Sequence, residues 1–260
     1  MPLIDPARLQ TLLGPATGRF DVDSLETCES TSTLLLQRAA NGSPSGSVLV
    51  ADRQTAGRGR RGRTWLSEPE SSLTFSLFWR FDGPAASLAG LSLAVGVAVA
   101  KALEALGARN IGLKWPNDVL IDDRKLAGIL VELVSERRGT SAVIGIGLNL
   151  ATPQGDFSLD AVGLDAALPA VPDRHLILAR LLIALAETLD RFAAGRFAAL
   201  QLAWQSRHAW QGRPVRLLQD ADAEIRGTCL GADEDGALLI ETPGGVRRFL
   251  SGDVSLRTAP

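Results

Sequence analysis

The amino-acid sequence predicts an α+β protein in two parts, a large helix-and-strand domain over residues 1–211 and a small all-β domain over 212–260. Three observations carry this. Strand-like runs rich in β-branched and aromatic residues at 47–51, 73–79 and 143–150 are interleaved with long helical stretches at 88–106 and 173–189. At Gly212-Arg213-Pro214 the composition changes to short apolar runs at 215–218, 224–230, 237–241 and 246–250, with the hairpin signals Asp235-Gly236 and Gly244-Gly245 between them. Finally, 46% of the 260 residues are hydrophobic, which supports a substantial core and argues against a disordered chain.

Each element has a local reason. Asp5-Pro6 starts a short helix, with the carboxylate as N-cap and proline at the first helical position, and Gly14 ends it. An extended piece runs to Cys28. Ser30, Thr31 or Ser32 then caps a helix carrying Leu34, Leu35, Leu36 and Arg38, closed by Asn41-Gly42. Capping alone explains these hydroxyls; a pocket facing the helix N-terminus is the alternative. Gln54 lies just past the 47–51 strand. The 88–106 stretch is apolar nearly all round, as a helix packed on a sheet would be. Gly90, Ser92, Gly96, Lys101 and Glu104 interrupt it, so it reads as buried and not as a membrane span, and Gly107 ends it.

Ile111–Trp115 is a strand stopped by Pro116, which cannot donate to a ladder, and Asn117-Asp118 at its exit suits an Asx turn. Residues 119–121 and 126–133 form a hairpin around Asp122-Asp123-Arg124. Lys125 opens its second arm, a place expected at an exposed edge or, beside Gly128, facing an anion. The 143–150 strand carries glycines where side chains must be absent and ends near Asn149. An irregular connection over 151–172 leads to a helix capped by Asp173 and ending near Gly195. A further helix is expected over 196–210, with His175 and His208 in structural or surface roles.

Composition removes several function classes. The net charge of −2 is not that of a general nucleic-acid binder. Only about 20 residues precede the extended piece, too few for a helix-turn-helix domain, so no DNA partner is expected. Cys28 and Cys229 are far apart and form neither a disulfide framework nor a metal spacing, and no metal site is expected. There is no apolar signal core, which leads to the expectation of a cytoplasmic protein without a membrane partner. P-loop and nucleophile-elbow motifs are missing.

The most informative stretch is Ala56–Trp65. Four arginines and three glycines fall within Gly57–Arg63. Glycines let the backbone approach a ligand closely, and guanidinium forks suit carboxylate and phosphate oxygens. A solvated basic loop, a nucleic-acid contact and a phosphate cradle are the competing readings. Gly57, Gly59 and Gly62 also match the dinucleotide fingerprint, but Thr64–Pro69 offers no helix to receive a pyrophosphate. Together with a lysine, Asn/Asp groups at strand ends and paired hydroxyls, the loop suits anion binding above a sheet.

Gln54-Thr55-Ala56-Gly57-Arg58-Gly59-Arg60-Arg61-Gly62-Arg63-Thr64-Trp65, Lys114-Trp115-Pro116-Asn117-Asp118 and Lys125-Leu126-Ala127-Gly128-Ile129-Leu130 closely resemble the signatures of biotin protein ligases. Glu29-Ser30-Thr31-Ser32, Gly145–Asn149 and Ser255-Leu256-Arg257 extend the likeness over residues 25–257. The resemblance implies a mixed sheet flanked by helices, of the class II synthetase-like kind, followed by an SH3-like barrel. It implies that biotin and ATP form biotinyl-5'-AMP, with Mg²⁺ accompanying ATP. The acyl group then passes to a lysine of the biotin carboxyl carrier domain of acetyl-CoA carboxylase or a related carboxylase. By the same resemblance Ser30, Thr31, Ser32, Gln54 and Gly128 hold biotin, and Arg58, Gly59, Arg60 and Lys125 hold carboxylate and phosphate. Arg60, Arg61, Arg63, Trp65, Asn117, Asn149 and Arg257 serve the nucleotide. Arg58, Lys125 and Asp118 are the catalytic candidates, Asp118 to orient or deprotonate the incoming amine. The protein is expected as a monomer or homodimer. A lipoate or octanoate ligase and a non-enzymatic biotin sensor are the alternatives.

Overall fold

The computed structural model describes residues 2–135, 139–154, 161–218, 224–250 and 255–258. Seven strands form the main sheet: β1 (Asp21–Cys28), β2 (Ser47–Gln54), β3 (Ser72–Phe81), β4 (Ile111–Lys114), β5 (Asp118–Ile121), β6 (Arg124–Ser135) and β7 (Thr140–Asn149). Their order is β1-β2-β3-β7-β6-β5-β4, parallel between β1 and β2 and antiparallel elsewhere, so the sheet is mixed.

The two faces are covered unequally. On one lie α1 (Pro6–Leu13), α3 (Leu91–Ala105) and α4 (Arg174–Gly195), with α3 against β4, β5 and β6 and α4 laid across α3. Ile144, Ile146 and Leu148 of β7 and Leu73, Phe75 and Leu77 of β3 enter this core. The opposite face carries α2 (Thr31–Ala40), whose Leu35 packs on Leu49, Phe78 and Val143 in a smaller cluster. Ser30 is the N-cap of α2, its Oγ accepting from Thr33 N, and Asp5 caps α1 through Ala7 N. Because α2 is short, it leaves the β6 side of this face open.

The β5–β6 turn is the expected hairpin; Asp122 and Asp123 both take positive φ (48° and 62°), the geometry of a two-residue turn that matches strand twist. Its second arm lies inside the sheet, between β7 and β5, so Lys125 is not on an edge strand. The helix expected over 196–210 is not formed. Arg196 adopts φ 54° and ends α4; only α5 (Gln201–Gln205) is α-helical, and the chain then bends so that Leu113 N donates to Arg207 O. The spacing of Leu200, Trp204 and His208 predicts one helix there; all three are buried, but they reach the core from a broken path. Part of the 151–172 connection, residues 155–160, lies outside the described residues.

The second domain is a five-stranded antiparallel sheet in the order β11-β10-β9-β8-β12, with β8 Pro214–Leu218, β9 Glu224–Ala232, β10 Leu238–Thr242, β11 Gly245–Phe249 and β12 Ser255–Thr258. It is the SH3-like domain implied by the resemblance. Four strands are legible from turn signals; β12 is too short to stand out and is held by pairing with β8. The domain docks through Trp115 Nε1, which donates to Gly236 O (3.1 Å), and through Asp123, which accepts from Arg213 (2.6 Å) and, within the first domain, from Trp210 Nε1 (3.1 Å).

Candidate active site

A pocket opens on the α2 face where the strand side chains shrink. Side chains at 143, 145 and 147 of β7 face this way, and two of the three are glycine. A Cβ on Gly145 would stand 2.5 Å from Ser32 Oγ, and one on Gly147 would stand 2.1 Å from Trp65 Cε2. The first glycine makes room for a hydroxyl and the second for an indole. On β6, Gly128 pairs with Gly147, and a Cβ there would stand 3.2 Å from the Trp65 ring. On β3 the same face carries Thr74 and Ser76.

At the α2 end the polar groups are neutral. Thr31 N donates to Gln54 Oε1 (2.7 Å), Thr31 Oγ1 donates to the same oxygen (3.1 Å), and Ser76 Oγ donates to Thr31 Oγ1 (2.8 Å). Ser32 Oγ lies 3.0 Å from Ser76 Oγ. Ser30, Thr31 and Ser32 are all buried. Hydroxyl and amide groups both donate and accept, so this wall is suited to an uncharged polar ring.

The other walls are cationic. The 56–65 loop folds back on itself: Gly59 N donates to Arg63 O (2.7 Å), Trp65 N donates to Gly57 O (2.9 Å), and Arg61 and Gly62 turn it with φ 57° and 69°. No helix follows it, so the dinucleotide reading fails. Arg60 Nη1 donates to Asn117 Oδ1 (3.2 Å), whose amide in turn donates to Ile129 O (2.8 Å). Arg58 forms a two-point pair with Glu132 of β6 (2.8 and 2.6 Å). Opposite the loop, Lys125 Nζ lies 2.6 Å from Asp118 Oδ1, and Lys114 Nζ lies 3.9 Å from Oδ2 of the same carboxylate. Lys114 also sits 4.4 Å above the Trp210 ring. Burial pushes its pKa down to about 8; Asp118 opposes that shift, while Arg257, Lys125 and Arg63 add to it.

Among the described lining residues there are seven basic side chains (Arg58, Arg60, Arg61, Arg63, Lys114, Lys125 and Arg257) and one carboxylate, Asp118. That imbalance makes the pocket an anion site. No group of three His, Cys, Asp or Glu among the described residues is placed to hold a metal ion.

The structure therefore gathers Ser30, Thr31, Ser32, Gln54, the loop residues, Asn117, Asp118, Lys125, Gly128 and Arg257 around one cavity. Asn149 is not in its lining; its amide donates to Lys125 O (3.3 Å) and Val162 O (3.2 Å), fixing the backbone that carries the lysine. Sequence reasoning missed Lys114, Thr74, Ser76 and Glu132 as site residues. The alternation Ser72-x-Thr74-x-Ser76 against Leu73, Phe75 and Leu77 was the available signal: one face apolar, the other hydroxylated. Both histidines are structural. His175 Nε2 accepts from Asp5 N (2.9 Å), and His208 stacks on Trp204 at 4.5 Å.

Residues 24–149 match the family model described as the Biotin/lipoate A/B protein ligase family, and residues 212–257 match the Biotin protein ligase C terminal domain. Over 260 residues the chain is 35% identical to the biotin--[acetyl-CoA-carboxylase] ligase of Mycobacterium tuberculosis, covering 97% of this chain and 95% of that one. The chain belongs to the biotin protein ligase family. The ligase is also 39% identical over 259 residues to the bifunctional ligase/repressor BirA of Escherichia coli strain K12, with 95% of this chain and 77% of the relative covered. Its fold superposes on the biotin protein ligase of Aquifex aeolicus in complex with biotin and ATP, with a TM-score of 0.81, 33% identity, and coverage of 92% and 99% of the two chains.

Proposed function

We propose that this ligase joins biotin to ATP as biotinyl-5'-AMP and passes the acyl group to one lysine of the biotin carboxyl carrier domain of acetyl-CoA carboxylase or a related carboxylase. One observation carries the assignment of roles: a single pocket joins a neutral hydroxyl–amide wall to seven cations. The first suits a ureido ring, and the second suits a carboxylate beside a triphosphate.

In the first step a biotin carboxylate oxygen attacks the α-phosphorus, and the bond to pyrophosphate breaks. Negative charge builds on the phosphoryl oxygens. Lys125, Arg60 and Arg58 turn to counter it, and donors of this kind are worth on the order of 3 kcal/mol each. Gln54 and Thr31, already bonded to each other, hold the ring, with Ser30, Ser32 and Gly128 completing that wall. Arg61, Arg63, Trp65, Asn117 and Arg257 serve the nucleotide, and Asn149 acts through the Lys125 backbone. In the second step the acceptor amine attacks the acyl carbon and loses a proton, and AMP leaves with the C–O electron pair. Asp118 takes that proton once Lys125 has turned to the phosphate. The loop over the pocket keeps water from the anhydride.

Mg²⁺ fits as a companion of ATP rather than as a resident ion. Such ions are commonly held by phosphates and one or two carboxylates, and Asp118 is the carboxylate present. The ligase works as a monomer or homodimer in the cytoplasm. The test is direct: incubate it with ATP, Mg²⁺, biotin and an acceptor carrier domain, and weigh the acceptor by intact mass spectrometry. The expected outcome is one biotinyl adduct on one lysine. Folded ligase with an unmodified acceptor would reject the proposal.

A further inference from the structure

Thr74 lies on β3 directly opposite Gly147 of β7 and two residues from Ser76. Its side chain is 5% exposed and lines the pocket, yet its Oγ1 has no hydrogen-bond partner. The neighbouring hydroxyls differ: Ser76 is bonded to Thr31, and Ser32 lies against Ser76. The second pocket atom in the same condition is Trp65 Nε1, on the indole that covers Gly147. Buried polar groups in folded proteins are nearly always paired, because an unpaired one keeps its full desolvation cost. Here two such groups stand at adjoining positions on one pocket floor, next to a hydroxyl wall that is already satisfied.

We infer that Thr74 Oγ1 is a specificity-determining contact of the acid substrate, hydrogen-bonding a polar atom of its ring system and selecting a ring that carries such atoms over a hydrocarbon or dithiolane ring. The inference rests on the biotin-ligase reading of the pocket. A ureido ring offers both N–H and C=O groups, and a hydroxyl can pair with either. A dithiolane ring of the lipoyl kind offers neither, so its binding leaves the hydroxyl buried and unpaired. A site built to hydrogen-bond its substrate rejects an analogue that lacks the group far more strongly than an apolar site can.

The consequence for the ligand-free protein is opposite in sign to that of a structural hydroxyl. Thr74→Val keeps the shape and removes an unpaired polar atom, so the ligand-free variant should melt at the parent's temperature or above it. Its affinity for biotin should fall at least fivefold, and its biotin-over-lipoate preference should narrow by a similar factor. Thr74→Ser keeps the hydroxyl and should hold the parent's affinity within about twofold.

Isothermal titration with biotin and with lipoic acid, alongside thermal unfolding without ligand, reads the parent and both variants. Binding of biotin by the parent tests the pocket assignment on its own. Given that binding, a Thr74→Val protein with parental affinity overturns the inference. So does a Thr74→Val protein that melts several degrees lower or fails to fold, since the hydroxyl would then be serving the fold.

Discussion

Lys114 and Lys125 approach the same carboxylate from different surroundings. Lys125 meets Asp118 at 2.6 Å near the pocket mouth, whereas Lys114 is held farther off, over Trp210, in a side-chain environment only 13% exposed. Its pKa near 8 lies below the ordinary lysine value because burial disfavours the ammonium. A cation helps hold ATP only while protonated, so in the ligand-free protein that help is present below about 8 and is lost as pH rises through it. Titrating ATP between pH 7 and 9 should show parental affinity falling several-fold, with a flatter profile in Lys114→Met. Equal slopes would remove Lys114 from the anion site. The arginine loop and Gln54 could be read from sequence because their residue types leave few other uses. Lys114 could not, since its burial depends on a tryptophan almost a hundred positions away. Thr74 and Ser76 were hidden for a different reason: hydroxyls on a strand are common, and only the glycines of β7 opposite them mark that face as a floor.

At the scale of elements, the 56–65 loop is fastened to β6 and to the turn before β5. The Arg58–Glu132 pair is one fastening, part-exposed at 42% and 24%. Such pairs are worth up to about 1 kcal/mol, so Glu132→Gln should let the adenylate escape two- to fivefold faster and quicken tryptic cleavage within the ligand-free loop. Parental rates in both assays would show that the pair holds nothing. Trp65, over Gly147 and Gly128, is a further fastening. Gly147→Ala forces its indole off the sheet, an overpacking change of roughly 1–3 kcal/mol. Indole fluorescence should shift to the red and nucleotide affinity should drop, while an unchanged emission spectrum would show that the indole does not move. Local sequence foretold the β5–β6 hairpin from its turn residues. It did not foretell that β6 lies inside the sheet, because strand order depends on which partners pair across the fold. The broken path from Arg196 to Trp210 was equally hidden, since buried apolar residues at helical spacing are compatible with a bend.

Across the whole molecule, the two domains are joined partly by uncharged packing around His208. The imidazole stacks on Trp204 and lies 3.8 Å from Cys229 Sγ of β9, and burial pushes its pKa down to about 4. Unfolding restores the ordinary value near 6.5, so the unfolded chain binds the extra proton between those limits. Stability is therefore full above about pH 6.5 and falls as pH drops toward 4, by at most about 3 kcal/mol from this group. Denaturant melts at pH 7 and pH 4.5 should show a smaller loss in His208→Phe than in the parent; an equal loss would assign the acid sensitivity to other groups. The order of helices and strands was readable from periodicity and caps, but the joint between domains was not, because it is built from single long-range contacts. Among them, the pairing of β12 with β8 brings Arg257 into the lining of the cavity that Thr31 also lines. Translation thus delivers the buried hydroxyl at position 31 long before the cation at position 257, so a partly synthesised chain carries an incomplete pocket lining.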